Sequence, residues 1–194
     1  MFSVVEMRAF IGIGLSDEAK AALTQSQQEL ATSHADVKWV QPEQLHVTLK
    51  FLDEISDAQR QQMEASLTTI AQQTSAFTMG LQAIGAFPSV SDPRIIWVGV
   101  GEGKASVVRL AEAIEQGARV LGLKREERPY SAHVTIGRVR SGRNLQSLTQ
   151  QLKEAHWQAP VVWQATSLTF YQSLLGSGGP TYSVLEEIPL GVSP

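Results

Sequence analysis

The sequence predicts an α+β fold, a mostly antiparallel sheet with helices packed outside it. Three observations carry that expectation. Apolar residues alternate in several short runs, as half-buried strands require. Other stretches repeat at helical spacing between those runs. The two patterns mix without the strict strand–helix alternation of a doubly wound parallel sheet.

Taken in order, Arg8 to Leu15 places Ala9, Ile11, Ile13 and Leu15 on one side of a strand. Ser16 then offers an N-cap, and Asp17 and Glu18 suit the positive end of a helix running towards Leu30. Residues 37–40 and 45–52 are strand-like. Ser56 followed by Gln59 matches a capping box, and Met63, Leu67 and Ile70 form the stripe of a second helix. Strands are expected at about 77–87 and 95–100, separated by the turn signals Pro88, Asp92 and Pro93. From Lys104 to Leu121 the apolar positions Val107, Leu110, Ala111, Ile114 and Ala118 give the clearest helix, with Gly122 placed to end it. A strand at 132–139 follows, then a short helix capped by Asn144 with Leu145, Leu148 and Leu152 on one face. The tail reads as two strands, about 160–173 and 181–187, joined by a loop of Gly176, Ser177, Gly178, Gly179 and Pro180.

The 194 residues suffice for one sizeable domain. A formal net charge of −3 argues against a general duplex-binding surface and leaves room for a local basic pocket. There are no cysteines, which excludes disulfides, thiolate nucleophiles and Cys-ligated zinc and fits a reducing cytoplasm. Glu6 and Arg8 interrupt the opening apolar run, which therefore reads poorly as a leader peptide. No apolar run reaches the ~18–20 residues of a membrane-spanning helix, so no membrane partner is expected.

One internal echo stands out. HVTL at 46–49 returns as HVTI at 133–136. Alternation puts His46 and Thr48 on one strand face and Val47 and Leu49 on the other, and the second copy does the same with His133 and Thr135. Two such strands meeting at a groove bring two imidazoles and two hydroxyls into one cavity. Histidine titrates near neutrality, so one ring can accept a proton while the other donates. Opening a cyclic phosphate ester needs both steps, each worth ~10²–10⁴-fold. Hydroxyls of Thr48 and Thr135 can donate to phosphate oxygens, and Arg138 can add a fixed charge. No carboxylate-rich cluster marks a metal site, and neither metal nor cofactor is expected. Arg138 lies five residues after His133, so strict alternation sends it to the opposite face unless Gly137 marks a bulge. Lys50 shares alternation with His46 and reads as a rim charge. His34 and His156 lack such neighbours and read as structural or exposed. The tryptophans read as core, and Tyr171 and Tyr182 as core or cleft lining. Lys124, Arg125, Arg128, Arg140 and Arg143 make a basic neighbourhood around the second motif.

At these residues the chain resembles the 2H phosphoesterase superfamily, specifically the RNA 2′,3′-cyclic phosphodiesterase (2′-5′ RNA ligase) family. The likeness runs through MRAFIGIGL at 7–15, WVQPEQLHVTLKFLDE at 39–54, RPYSAHVTIGR at 128–138 and LTFYQSLLGSGGPTYSVLEE at 168–187. It implies one bilobal domain over 1–194 with a cleft between the lobes, each lobe contributing one His-x-Thr-x motif. It also implies hydrolysis of an RNA terminal 2′,3′-cyclic phosphate to a 2′-phosphate, with 2′-5′ ligation as the secondary, reverse reaction. By matching positions, His46 is the proton donor and His133 the acceptor, while Thr48, Thr135 and Arg138 hold the phosphate. The expected partner is RNA bearing a cyclic phosphate end, or a small nucleotide analogue. The protein is expected to act as a cytoplasmic monomer without an obligate protein partner.

Overall fold

The computed structural model of the chain describes residues 6–157, 161–176 and 179–191. Nine strands and four helices follow one another as β1 (Glu6–Ile13), α1 (Asp17–Ala31), β2 (Val37–Trp39), β3 (Val47–Ser56), α2 (Asp57–Gln72), β4 (Phe77–Ser89), β5 (Asp92–Val100), α3 (Lys104–Val120), β6 (His133–Val139), α4 (Leu145–Glu154), β7 (Val162–Ala165), β8 (Ser167–Gly176) and β9 (Gly179–Pro189). The α+β expectation holds. The strands form one curled sheet in the order β7-β4-β5-β6-β3-β1-β8-β9, with β2 added beside β6. Every named pairing is antiparallel.

Local chemistry sets the helix boundaries. Ser16 accepts from the Ala19 N–H, and the box at Ser56 and Gln59 forms in both directions. The α3 stripe of Val107, Leu110, Ala111, Ile114 and Ala118 is buried against the sheet, and the helix stops before Gly122 at φ +71°. Asn144 does occupy the N-cap position of α4, but in a left-handed conformation without a capping bond; its side chain donates instead to the His34 carbonyl at 3.0 Å. The tail differs from expectation, because Thr166 divides 162–176 into β7 and β8, which join opposite regions of the sheet. The glycine-rich connection is shorter than expected: Gly176 and Gly179 are register partners, and Ser177 and Gly178 lie outside the described residues. Pro88, Asp92 and Pro93 lie within β4 and β5, and the turn itself falls at Val90 and Ser91.

The four α-helices bury their apolar stripes in the same core cluster as Ile11, Val47, Val134 and Ile136. Among the described residues, no helix packs on the opposite face of the sheet, which bears the motif histidines. No helix among the described residues is long and apolar enough to cross a membrane.

Lys50 corrects the simple alternation. Thr48 pairs with Gly12 while Lys50 pairs with Ile11, so one extra residue, Leu49, is bulged between them. The bulge turns Lys50 to the helix face, where it is 5% exposed, far from any rim. Its ammonium donates to Glu115 Oε2 of α3 at 2.6 Å and to the Lys124 carbonyl at 2.9 Å. Glu115 Oε1 also accepts from the Glu126 N–H at 3.3 Å. This pair thereby pins the charged segment that leads towards His133.

Removing the acid strands a buried ammonium. Glu115→Ala is expected to cost about 2–4 kcal/mol in urea denaturation and to make the 122–132 segment sensitive to protease, while Lys50→Met with Glu115→Leu recovers most of the loss. An unchanged midpoint for Glu115→Ala would show that the pair contributes nothing.

Candidate active site

The strands β3 and β6 touch through one register pair, Val47 with Val134. Continuing that antiparallel register by one residue each way sets His46 opposite Thr135 and Thr48 opposite His133. The two motifs therefore meet at their valines, and the His133 charge acts on His46 across the gap. In a regular ladder such diagonal histidines have Cβ atoms about 7–8 Å apart. The repeat seen in the sequence becomes a local two-fold arrangement.

Both rings are held the same way. His46 Nδ1 lies 2.7 Å from the Gln44 carbonyl, and His133 Nδ1 lies 2.7 Å from the Ser131 carbonyl. A carbonyl only accepts, so each Nδ1 carries the proton and each Nε2 is the ring nitrogen that remains. The Thr48 hydroxyl sits 2.9 Å from His46 Nε2 and donates to it when that ring is neutral. Thr135 has no protein partner for its hydroxyl in the hydrogen bonds of the described residues. Its side chain is half-buried on the histidine face.

Arg138 reaches this face by the device that Gly137 hinted at. Trp97 pairs with Thr135 and Ile96 with Gly137, so Ile136 is the extra residue of a bulge. Beyond it, Arg138 returns to the side of His133 and Thr135, where its guanidinium is exposed. Gly137 is required there by a close approach, since a Cβ at this position would lie 2.9 Å from both the Trp39 ring and Val37 Cγ1. Its carbonyl-bearing neighbour Ile136 is held by α1: Gln27 Nε2 donates to the Ile136 and Val40 carbonyls, each at 2.8 Å.

Each ring also rests on aromatic side chains. Phe10, fully buried, stacks on His46 at 4.8 Å and on Tyr171 at 4.7 Å, while Tyr182 meets His46 edge-on at 5.5 Å. Phe87 meets His133 edge-on at 5.1 Å, and Trp97 lies tilted against it at 6.2 Å. Tyr171 and Tyr182 thus line the site, and so does Trp97, which the sequence reading put in the core. Trp163 is core as expected, and Trp39 and Trp157 pack against it. Phe51, turned to the Phe10 face by the Leu49 bulge, stays 57% exposed beside this stack. Tyr130 donates its hydroxyl to the Thr48 carbonyl at 2.8 Å, tying the approach to the second motif onto the first. His34 and His156 are exposed and stand apart from the site, and the five basic residues around the second motif are all exposed.

Burial dominates the electrostatics. It lowers the His46 pKa to about 4, against the opposing pull of the Gln44 carbonyl, and the charges of Arg138 and His133 lower it further. His133 is lowered for the same reasons, burial first, with the Ser131 carbonyl opposing and Arg138 adding to the shift. Arg138 also acts on Tyr182. One guanidinium field therefore spans both histidines and the tyrosine wall.

Two apposed His-x-Thr-x strands on a curled antiparallel sheet, with both rings pinned through Nδ1 and an arginine beside them, define a 2H phosphoesterase. The chain belongs to the LigT like Phosphoesterase family, whose pattern matches residues 13–97 and again 98–182, one motif in each match. It is similar to the RNA 2′,3′-cyclic phosphodiesterase of Aeropyrum pernix, with 30% identity over 86% of this chain and 93% of that one. The protein of the same name from Aquifex aeolicus is 29% identical over 95% of this chain and 98% of its own. A crystal structure of a Thermus thermophilus protein superposes with a TM-score of 0.80 at 26% identity, covering 97% of this chain and 100% of the other.

Gln27, Phe10, Phe87 and the Lys50–Glu115 pair were absent from the sequence reading. Gln27 hides in a run of polar helix residues, and Phe10 looks like one more apolar strand position.

The depressed histidines make stability depend on pH. A group whose folded pKa lies below its unfolded value takes up protons first in the unfolded chain. Stability is therefore complete above about pH 6.5 and falls as the pH drops from there towards 4. For His46 the loss is roughly 3 kcal/mol, and His133 adds to it with the same sign. Urea midpoints measured between pH 7.5 and 4.5 should show this slope, and His46→Asn should flatten it. An equal slope in that variant would assign the effect elsewhere.

Proposed function

We propose that the protein hydrolyses the terminal 2′,3′-cyclic phosphate of RNA to a 2′-phosphate by two-histidine acid–base catalysis. The observation that carries this reading is the matched pinning of both rings, each with Nδ1–H on a backbone carbonyl two residues back and Nε2 left for the shared face. The names of the relatives support the same substrate.

In this scheme a water oxygen attacks phosphorus and the P–O3′ bond breaks. The proton of the water goes to His133 Nε2, and His46 Nε2 gives its proton to the departing O3′. The product carries a 2′-phosphate and a free 3′-hydroxyl, and the two rings exchange protonation states until solvent resets them. His133 suits the acceptor role because it is neutral in the free protein. His46 is also neutral there, and the substrate's negative charge is what draws a proton onto it, opposing Arg138. Thr48 turns from His46 Nε2 towards a non-bridging oxygen, Thr135 donates to another, and Arg138 neutralises the anion. Phe51 offers an exposed face on which the terminal base can stack. The two halves of the sheet, joined at Val47 and Val134, act as two lobes of one domain. Ligation through a 2′-5′ bond is the same path run backwards and is secondary.

The direct test is a cyclic-phosphate-ended oligonucleotide turned over in excess chelator, with 2′- and 3′-phosphate products resolved. The 2′-phosphate is expected, and a 3′-phosphate product or loss of turnover in chelator would defeat the scheme. His46→Ala and His133→Ala should each lower kcat/KM by about 10²–10⁴-fold. A protein that only binds RNA ends would show no turnover to lose.

The pH profile provides a second test. Because kcat/KM reports the free protein, both limbs of its bell should lie on the acid side of the usual histidine range. The kcat bell, governed by the substrate-bound state, should be displaced towards alkali. Coincident bells centred on the ordinary range would contradict the roles given to Arg138 and burial.

A further inference from the structure

The bulge at Ile136 decides which way Arg138 points, so what holds the bulge matters to the site. The bulge lies against β5; on the other edge of β6 the Ile136 carbonyl faces Val40, in continuation of the β2–β6 register. Here the Ile136 carbonyl accepts from the Val40 N–H at 3.0 Å and from Gln27 Nε2 at 2.8 Å. The second hydrogen of the same amide goes to the Val40 carbonyl, also at 2.8 Å. Gln27 is 6% exposed and comes from α1, 109 residues before the bulge. Both neighbours are acceptors, so only a group with two N–H donors in one plane satisfies them together. Removing one residue from the bulge would exchange the two faces of the strand beyond it and carry Arg138 away from His133.

We infer that Gln27 is a positioning residue for Arg138: its amide clamps the bulge at Ile136 and so aims the guanidinium at the phosphate. The inference rests on the reading of Arg138 as a phosphate-binding group. Gln27 touches no substrate; it acts through the backbone, at Ile136 of β6 and at Val40 just after β2.

A double-mutant cycle of Gln27→Met and Arg138→Ala tests this, read as kcat/KM on a cyclic-phosphate-ended oligonucleotide and as inhibition by inorganic phosphate, well below each variant's melting temperature. Arg138→Ala should weaken phosphate inhibition by about tenfold to a hundredfold. Gln27→Met alone should weaken it by roughly threefold to tenfold, yet by less than about twofold when Arg138 is already alanine. Should Gln27→Met fail to fold, Gln27→Asn, which keeps an amide too short to span both carbonyls, must show the same loss of additivity. An equal factor in both backgrounds, or unchanged phosphate inhibition in the single variant, overturns the positioning role while leaving Arg138 in place. Unchanged inhibition in Arg138→Ala overturns the phosphate-binding role of that arginine, and this inference with it.

Discussion

The pairing of Val47 with Val134 fixes where the two His-x-Thr-x motifs stand. It is the single point at which β3 meets β6, and both partners are fully buried. Their side chains belong to the core beneath the sheet, which leaves the residues on either side of them to face outwards. A slip of one residue in this register would bury the imidazoles and expose the valines. Core packing thus guards the geometry of the site, and hydrophobic burial on one face specifies polar placement on the other.

Two bulges then adjust what regular pleating leaves wrong. The one at Leu49 removes Lys50 from the histidine face and gives that face Phe51 instead; the one at Ile136 brings Arg138 back to it. Each displaced group is stabilised by a helix behind the sheet, Lys50 through Glu115 of α3 and the Ile136 carbonyl through Gln27 of α1. The helices therefore shape the site without contributing a side chain to its surface.

Much of this was legible beforehand. Periodicity and caps located all four helices, and the repeated tetrapeptide located both histidines with their threonines. Those features are local, set by spacing within one segment. Bulges are not local: an extra residue is recognisable only against the partner strand, so alternation alone puts Lys50 on the wrong face and places Arg138 only by supposing a bend at Gly137. The break at Thr166 escapes notice for a related reason, because the two strands it separates are alike in composition and differ only in which neighbours they pair with. Composition alone makes Trp97 a core residue, whereas its place against His133 depends on a pairing with Thr135 that no single segment reveals.

Gln44 joins distant parts of the sheet. Its carbonyl orients His46, and its side-chain amide donates to the Pro180 carbonyl at 2.6 Å. Pro180 lies in β9, three strands away from β3, which on a flat sheet is a separation of ~14 Å. Gln44 stands in the short turn 42–44 ahead of β3, and Tyr182 of β9 meets His46 at 5.5 Å, so β9 curls towards that turn. His46 is thereby tethered to the far strand by one side-chain bond and one ring contact, so its orientation follows the position of β9.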